Sequence, residues 1–247
     1  MRRPRSERMP VGAPGIWHLI SRCVRRAPLL QGPGRREWLA DRFAAWFDVL
    51  AVDCLAYALM SNHIHLVVRT RPDVAARWSD AEVTRRFLAL RSVEDGAPGM
   101  VPPAQIRDAG MGVQALRDAR KTLAHPGVMM RAMKEGFARW VNQQEHAAGH
   151  VWESRYQDVA VIDAGGAFAC IVYVDLNPFR AGLVQDPAKS TFCSAAHRLG
   201  VQSQAADRAL GERLHVLSGH PILDSKGRPD GSWEWTAADI AAGMAER

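Results

Sequence analysis

The chain is short of the residues that staple small proteins or carry them into membranes. It has four cysteines in 247 residues, Cys23, Cys54, Cys170 and Cys193, and no two stand at C-x-x-C spacing. That excludes a zinc framework or disulfide scaffold and fits a reducing cytoplasm. No apolar run reaches membrane-spanning length, since Asp53 interrupts the longest. The basic N-terminus is followed by no apolar core, so no signal peptide is expected. Internal repeats are absent, as is any cluster of Asp and Glu with His of the kind a two-metal hydrolase uses; Asp53 and Asp175 stand alone. Tyrosine is scarce at three, Tyr57, Tyr156 and Tyr173, so any phenol chemistry has few candidates.

Hydrophobic residues make up 47% and charged residues 23%, which places the chain among globular proteins with enough length for one domain and its elaborations. The net charge of +6 is unevenly spread. Nine arginines against one glutamate give residues 1–36 a charge of +8, which leaves −2 for the rest. A basic arm on a near-neutral body fits a polyanion, and arginine suits bidentate phosphate contact. Residues 1–10 read equally well as a solvated tail. Arg22, Arg25 and Arg26 read as nucleic-acid contacts.

Ile16 to Val24 alternates as a first strand with His18 on one face. Arg36 to Asp48 carries Trp38, Leu39, Phe43, Trp46 and Phe47 at helical spacing, a core stripe. Val49 to Ala58 and His63 to Arg69 follow as strands joined at the polar corner Ser61-Asn62. In the second of these, His63 and His65 share one face while Ile64 and Leu66 share the other. Two neighbouring imidazoles are half of a metal site, or a polar pair on a wet sheet face. The stretch Tyr57-Ala58-Leu59-Met60-Ser61-Asn62-His63-Ile64-His65-Leu66-Val67-Val68 thus organises the chain.

Residues 71–127 read as an insertion. Ser79 with Glu82 has the capping-box pattern and opens a helix to about Arg91. Gly96 to Pro103 is a linker, and Met111 to Ala124 a second, basic helix. Val128 to Glu145 is amphipathic, with Met130, Met133, Phe137, Trp140 and Val141 inward and Arg131, Lys134 and Arg139 outward. Val159 to Ile162 reads as a fourth strand. Ala167 to Asn177 is a helix ended by Pro178, on which Tyr173 and Asn177 share a face. If that face meets the two histidines, a metal held by His63, His65 and Asn177 would polarise a phosphodiester beside a phenol. A hydrogen-bonded core tyrosine is the competing reading of Tyr173. Residues 199–247 are a weakly specified extension with one short helix expected at Ala237 to Ala245.

Three motifs in order carry a resemblance. Met60-Ser61-Asn62-His63-Ile64-His65-Leu66-Val67 resembles the His-hydrophobic-His (HUH) motif of single-tyrosine HUH transposases. Tyr173-Val174-Asp175-Leu176-Asn177-Pro178-Phe179-Arg180-Ala181-Gly182-Leu183-Val184 resembles their tyrosine-helix signature. Gly149-His150-Val151-Trp152-Glu153-Ser154-Arg155-Tyr156 resembles the segment before their last strand. The match covers roughly residues 14–70 and 127–198 and is closest to the REP-associated tyrosine transposases.

The resemblance implies an α+β fold, a ferredoxin-like βαββαβ domain whose antiparallel sheet carries helices on one face. It divides the chain into a basic arm (1–13), two parts of the HUH domain (14–70 and 128–198), a helical insertion (71–127) and a C-terminal extension (199–247). It further implies that Tyr173 attacks a phosphodiester of single-stranded, hairpin-forming DNA from palindromic repeats, leaving a 5′-phosphotyrosine and a free 3′-hydroxyl. His63 and His65 match the metal-binding pair and Asn177 the residue completing the site, with Mg²⁺ or Mn²⁺ as the metal. Imidazole alone would favour softer ions. Arg131 and Arg155 join the expected DNA contacts; Arg155 and Tyr156 either hold phosphate or pack. The expected protein is a cytoplasmic monomer or homodimer, nucleoid-associated when on DNA, with the tyrosine supplied within a chain or by a partner. A non-catalytic hairpin DNA- or RNA-binding derivative and a phosphodiesterase using water are the alternatives.

Overall fold

The structure is a computed structural model and describes residues 5–199 and 205–214. The helix expected at Ala237 to Ala245 lies outside them. In chain order the elements are α1 (Arg5–Arg8), β1 (Gly15–Arg22), α2 (Arg35–Val49), β2 (Val52–Leu59), β3 (His63–Thr70), α3 (Pro72–Arg77), α4 (Asp80–Arg91), α5 (Pro103–Asp108), α6 (Val113–Leu123), α7 (Gly127–Gln144), β4 (Gln157–Val161), α8 (Ala164–Asp175), α9 (Asn177–Arg180), α10 (Ser194–Arg198) and α11 (Ala205–Gly211). Short 3₁₀ turns occupy Val24–Arg26 and Pro187–Lys189.

The four strands form one sheet in the order β2-β3-β1-β4, and all pairs are antiparallel. With α2 between β1 and β2 and α7 between β3 and β4, this is the ferredoxin-like βαββαβ arrangement. Alternation splits the strands between two cores. Trp17, Leu19, Tyr57, Leu59, Ile64, Leu66 and Val68 join Phe43, Trp46, Met133 and Phe137 of α2 and α7 on one face. Trp38 stacks on Trp140 there with ring centroids 5.6 Å apart. Each large side chain so buried contributes about 1.5–3 kcal/mol.

The helix after β4 does not join them. Ala167, Ile171, Val172 and Val174 of α8 pack with Ile16, Ala56, Ala58 and Val67 on the other face. The two helices internal to the βαββαβ unit therefore lie on one face, as expected, while the tyrosine-bearing helix covers the other. A bulge between Cys54 and Ala56 shifts the β2–β3 register and frees the Leu55 carbonyl. The Arg198 guanidinium donates to that carbonyl.

Two local expectations need correction. Ser79 does cap α4, accepting from the Glu82 N–H at 3.2 Å, but Glu82 does not reach back. Its carboxylate is taken by Arg85 and Arg86 instead, at 2.8 and 2.6 Å. Pro178 does not end a helix reaching Asn177; α8 ends at Asp175, Leu176 stays near helical geometry (φ −85°, ψ −3°), and Pro178 sits in the first turn of α9. Proline needs no N–H partner in a first turn, so the chain can start again there.

Candidate functional site

Antiparallel pairing sets β1 beside β3 with Arg22 opposite His63 and Ile20 opposite His65. Even-numbered residues of β1 thus share the face of His63 and His65, which brings in His18, a residue that sequence reading had placed on a face without assigning a role. His18 Nε2 lies 2.8 Å from His65 Nδ1, both rings buried. The three imidazoles form one group, with ring centroids 5.0 Å apart for His18–His65 and 4.7 Å for His63–His65.

Above them lies the C-terminal end of α8. The Tyr173 ring stands edge-on to His65 at 5.8 Å and to His18 at 6.1 Å. Asn177 Nδ2 is 3.3 Å from His65 Nε2. The four residues expected to meet, His63, His65, Tyr173 and Asn177, do so within a single chain. Tyr57 and Tyr156 are buried on the α2/α7 side, whereas Tyr173 is 43% exposed. A core role for Tyr173 is thereby excluded, and Tyr156 packs rather than holding phosphate.

Hydrogen bonds fix which ring nitrogens are free. Asn62 donates through Nδ2 to the Arg26 carbonyl at 2.8 Å, so its Oδ1 faces His63 Nδ1 at 2.6 Å and must accept from it. His63 therefore carries its proton on Nδ1 and keeps a lone pair on Nε2. The Asn177 amide, donating to His65 Nε2, puts the His65 proton on Nδ1, where His18 accepts it. His63 thus presents a bare Nε2 with its other nitrogen held, the arrangement that orients an imidazole ligand, while His65 Nε2 accepts from the Asn177 amide. Arg25 and Arg26 adopt left-handed backbone (φ 53° and 55°) in the turn that offers the Arg26 carbonyl. Such conformations persist only where surroundings enforce them.

The electrostatics keep these rings neutral. Burial pushes His18 down to about 4. Burial, then the nearby Arg22 guanidinium, pushes His63 to about 4. Burial, followed by His18, His63 and Arg22, pushes His65 to about 2. Neutral imidazole is the ligating form. With Nε2 of His63 and His65 as nitrogen donors, the donor set fits a divalent cation once the Asn177 amide turns its oxygen inward. Among the described residues no group of three or more His, Cys, Asp or Glu side chains is arranged to hold a metal ion, so the carboxamide is the available oxygen donor.

The two aspartates singled out in the sequence are committed elsewhere. Asp53 is paired with Arg69 at 2.7 Å and Arg71 at 3.1 Å. Asp175 is fully buried, 2.8 Å from Arg198 Nε, and accepts from the Ser194 hydroxyl. Ser194 also bonds the Tyr57 backbone at both N–H (2.9 Å) and carbonyl (3.1 Å). This cluster clamps α8 to β2 and sets the height of Tyr173 above the sheet. It leaves neither aspartate for a two-metal site.

Of the expected DNA contacts, Arg22, Arg25 and Arg26 are exposed at the His63 end of the sheet. The Glu153 N–H donates to the Arg22 carbonyl at 2.9 Å, which brings exposed Arg155 to that end too. Arg131 is not there: it lies on α7, across the sheet, 4.0 Å from Glu135. Arg180, which the sequence reading did not single out, stands 5.8 Å from the Tyr173 ring.

No protein-family model matches the chain, and no curated protein matches it. Among solved structures it is similar to a REP-associated tyrosine transposase bound to a REP hairpin. The two share 14% identity over 86% of this chain and 94% of that one, with a TM-score of 0.45.

Proposed function

We propose that the chain is a metal-dependent enzyme that cleaves and rejoins single-stranded, hairpin-forming DNA through a 5′-phosphotyrosine on Tyr173. The observation that carries the reading is the meeting of an exposed phenol with two neutral imidazoles, one with its Nε2 free and one whose Nε2 faces the Asn177 amide, at a sheet end lined by arginines. His63, His65 and Asn177 would hold Mg²⁺ or Mn²⁺. When bound, such a cation neutralises charge that builds on the phosphoryl oxygens.

The chain's own residues do the rest. Arg22, Arg25, Arg26 and Arg155 hold the backbone phosphates that place the strand. The phenol oxygen of Tyr173 attacks phosphorus and the P–O3′ bond breaks; the phenol proton is lost and the leaving 3′-oxygen gains one. Arg180, beside the ring, adds a guanidinium for the phosphate under attack. Because the phosphodiester is exchanged for another phosphodiester, a 3′-hydroxyl can reverse the step and rejoin strands with no added energy source.

The test is a labelled hairpin oligonucleotide with a single-stranded flank, incubated with protein and Mn²⁺. A label that stays with the protein in SDS, needs metal, and disappears in Tyr173→Phe is the expected result. Salt-sensitive binding without cleavage under any divalent ion would instead favour a non-catalytic hairpin-binding protein. Cleavage with no covalent species would favour water as nucleophile.

A further inference from the structure

On the sheet face opposite the histidines, where α4 and α7 share one core, the two helices leave a groove of about 520 Å³. Phe87, Leu90, Val93 and Val128 line it with apolar surface. Its rim is basic. Arg91, Arg131 and Arg139 stand around it, all exposed, against one carboxylate, Glu135. Arg131 takes that carboxylate at 4.0 Å, which leaves Arg91 and Arg139 with no ion-pair partner among the described residues.

The described chain stops close by. Leu214 bridges to Cys54 on β2, an edge strand of the sheet, and the Asp48 carboxylate holds Arg213 at 2.7 and 3.0 Å. The Asp48 and Val49 carbonyls in turn accept from Arg86 at 2.6 and 2.8 Å, and Arg86 directly precedes Phe87. Residues 230–246 carry Asp230, Glu234, Asp239 and Glu246 and no lysine or arginine. Their apolar residues are Trp233 and Trp235 and, at helical spacing, Ala237, Ile240, Ala241 and Met244. Residues 215–229, which join them to Leu214, reach up to about 50 Å when extended, several times the width of a helix.

We infer that this groove takes the acidic, tryptophan-bearing stretch 230–246 of the same chain. Its apolar side chains enter between α4 and α7, the way an amphipathic segment fills a hydrophobic groove, and its carboxylates meet the guanidiniums of Arg91 and Arg139. Charge selects the segment and apolar burial holds it. A second copy or a separate acidic protein would meet the same surface, but tethering gives the chain's own segment an effective concentration on the order of millimolar. The segment therefore fills the groove first. Docking there leaves the Tyr173 face of the sheet open, and it needs neither metal nor DNA, so it stands or falls apart from the function proposed above.

The experiment uses the full chain with photoreactive benzoylphenylalanine in place of Trp233 in one sample and of Trp235 in another. Unlabelled and ¹⁵N-labelled protein are mixed, irradiated and digested, and the cross-linked peptides are mapped by mass spectrometry. At least one position should cross-link within a single chain to peptides from 87–93 or 128–139. Arg91→Glu combined with Arg139→Glu reverses the charge of the rim and should lower that cross-link about threefold or more. Val93→Trp, which fills the groove from a position 37% exposed, should lower it as well. Melting curves identify a variant that fails to fold, in which case the other decides, and high salt should weaken the cross-link in the otherwise unaltered chain. Cross-links only between differently labelled chains would make a second copy the occupant and overturn the assignment. Cross-links to other peptides, none from either position, or an undiminished yield in the folded variants would overturn it too.

Discussion

Acidifying the metal-free protein should destabilise it through His18 by an amount that the burial of the site sets. His18 is 8% exposed and held down to about 4 in the folded chain, against an ordinary value of 6.5. Above pH 6.5 both states are neutral at this residue and it contributes no pH dependence. Between about 6.5 and 4 the unfolded chain binds a proton that the folded chain refuses, so stability falls as pH falls; below about 4 the loss levels off. At pH 4.5 the loss from His18 alone is about 2.5 kcal/mol. For a chain of this size that lowers the melting temperature by about 5–10 °C relative to neutral pH. The assay compares melting curves from pH 7.5 to 4.5 for the unaltered protein and His18→Gln, whose amide oxygen can still accept from His65 Nδ1. His63 and His65, also held below their ordinary value, keep a slope in the variant, but a shallower one. Parallel curves for the two proteins would refute the claim that His18 is buried neutral against His65.

Three further outcomes follow from the same geometry. Arg198→Met should destabilise the protein by about 3–5 kcal/mol in urea titrations, because it strands the fully buried Asp175 carboxylate; pairing it with Asp175→Leu should recover much of the loss. Asn62→Ala should lower Mn²⁺ affinity about 10–100-fold by calorimetry and, in metal-free protein, change the ¹⁵N pattern that reports the proton on His63 Nδ1. Arg22→Ala should reduce the salt slope of single-stranded DNA binding by about 0.7, with no change in the melting temperature beyond about 1 °C, since surface substitutions away from packed features cost little.

Much of the sheet is legible because each strand alternates between two different surroundings. Ile64 and Leu66 face α2 and α7, His63 and His65 face α8, and the period of two separates them before any fold is known. Tyr173 and Asn177 were found by the same local rule applied to a helix. What local rules could not supply is which strand lies next to which. His18 becomes part of the site only because β1 sits beside β3 in a register that puts Ile20 opposite His65. The signal was present as a histidine on an alternating strand face, but its meaning is long-range. The same holds for Asn62, a turn residue by type whose role comes from the Arg26 carbonyl across the loop. Pro178 misled because its bias acts on the residue before it, and Leu176 and Asn177 could absorb that bias by restarting the helix. After Val184 the elements are short, and α10 is fixed by the buried Asp175–Arg198 pair rather than by an apolar stripe.

The central claim is that the nucleophile is the exposed phenol of α8 and no other group. Digesting the protein–DNA adduct with trypsin and nuclease, then sequencing the modified peptide by mass spectrometry, locates the attached nucleotide to one residue. The account predicts a nucleotide joined through its 5′-phosphate to Tyr173. A nucleotide on another side chain, or strand cleavage in Mn²⁺ with every peptide unmodified, would contradict it.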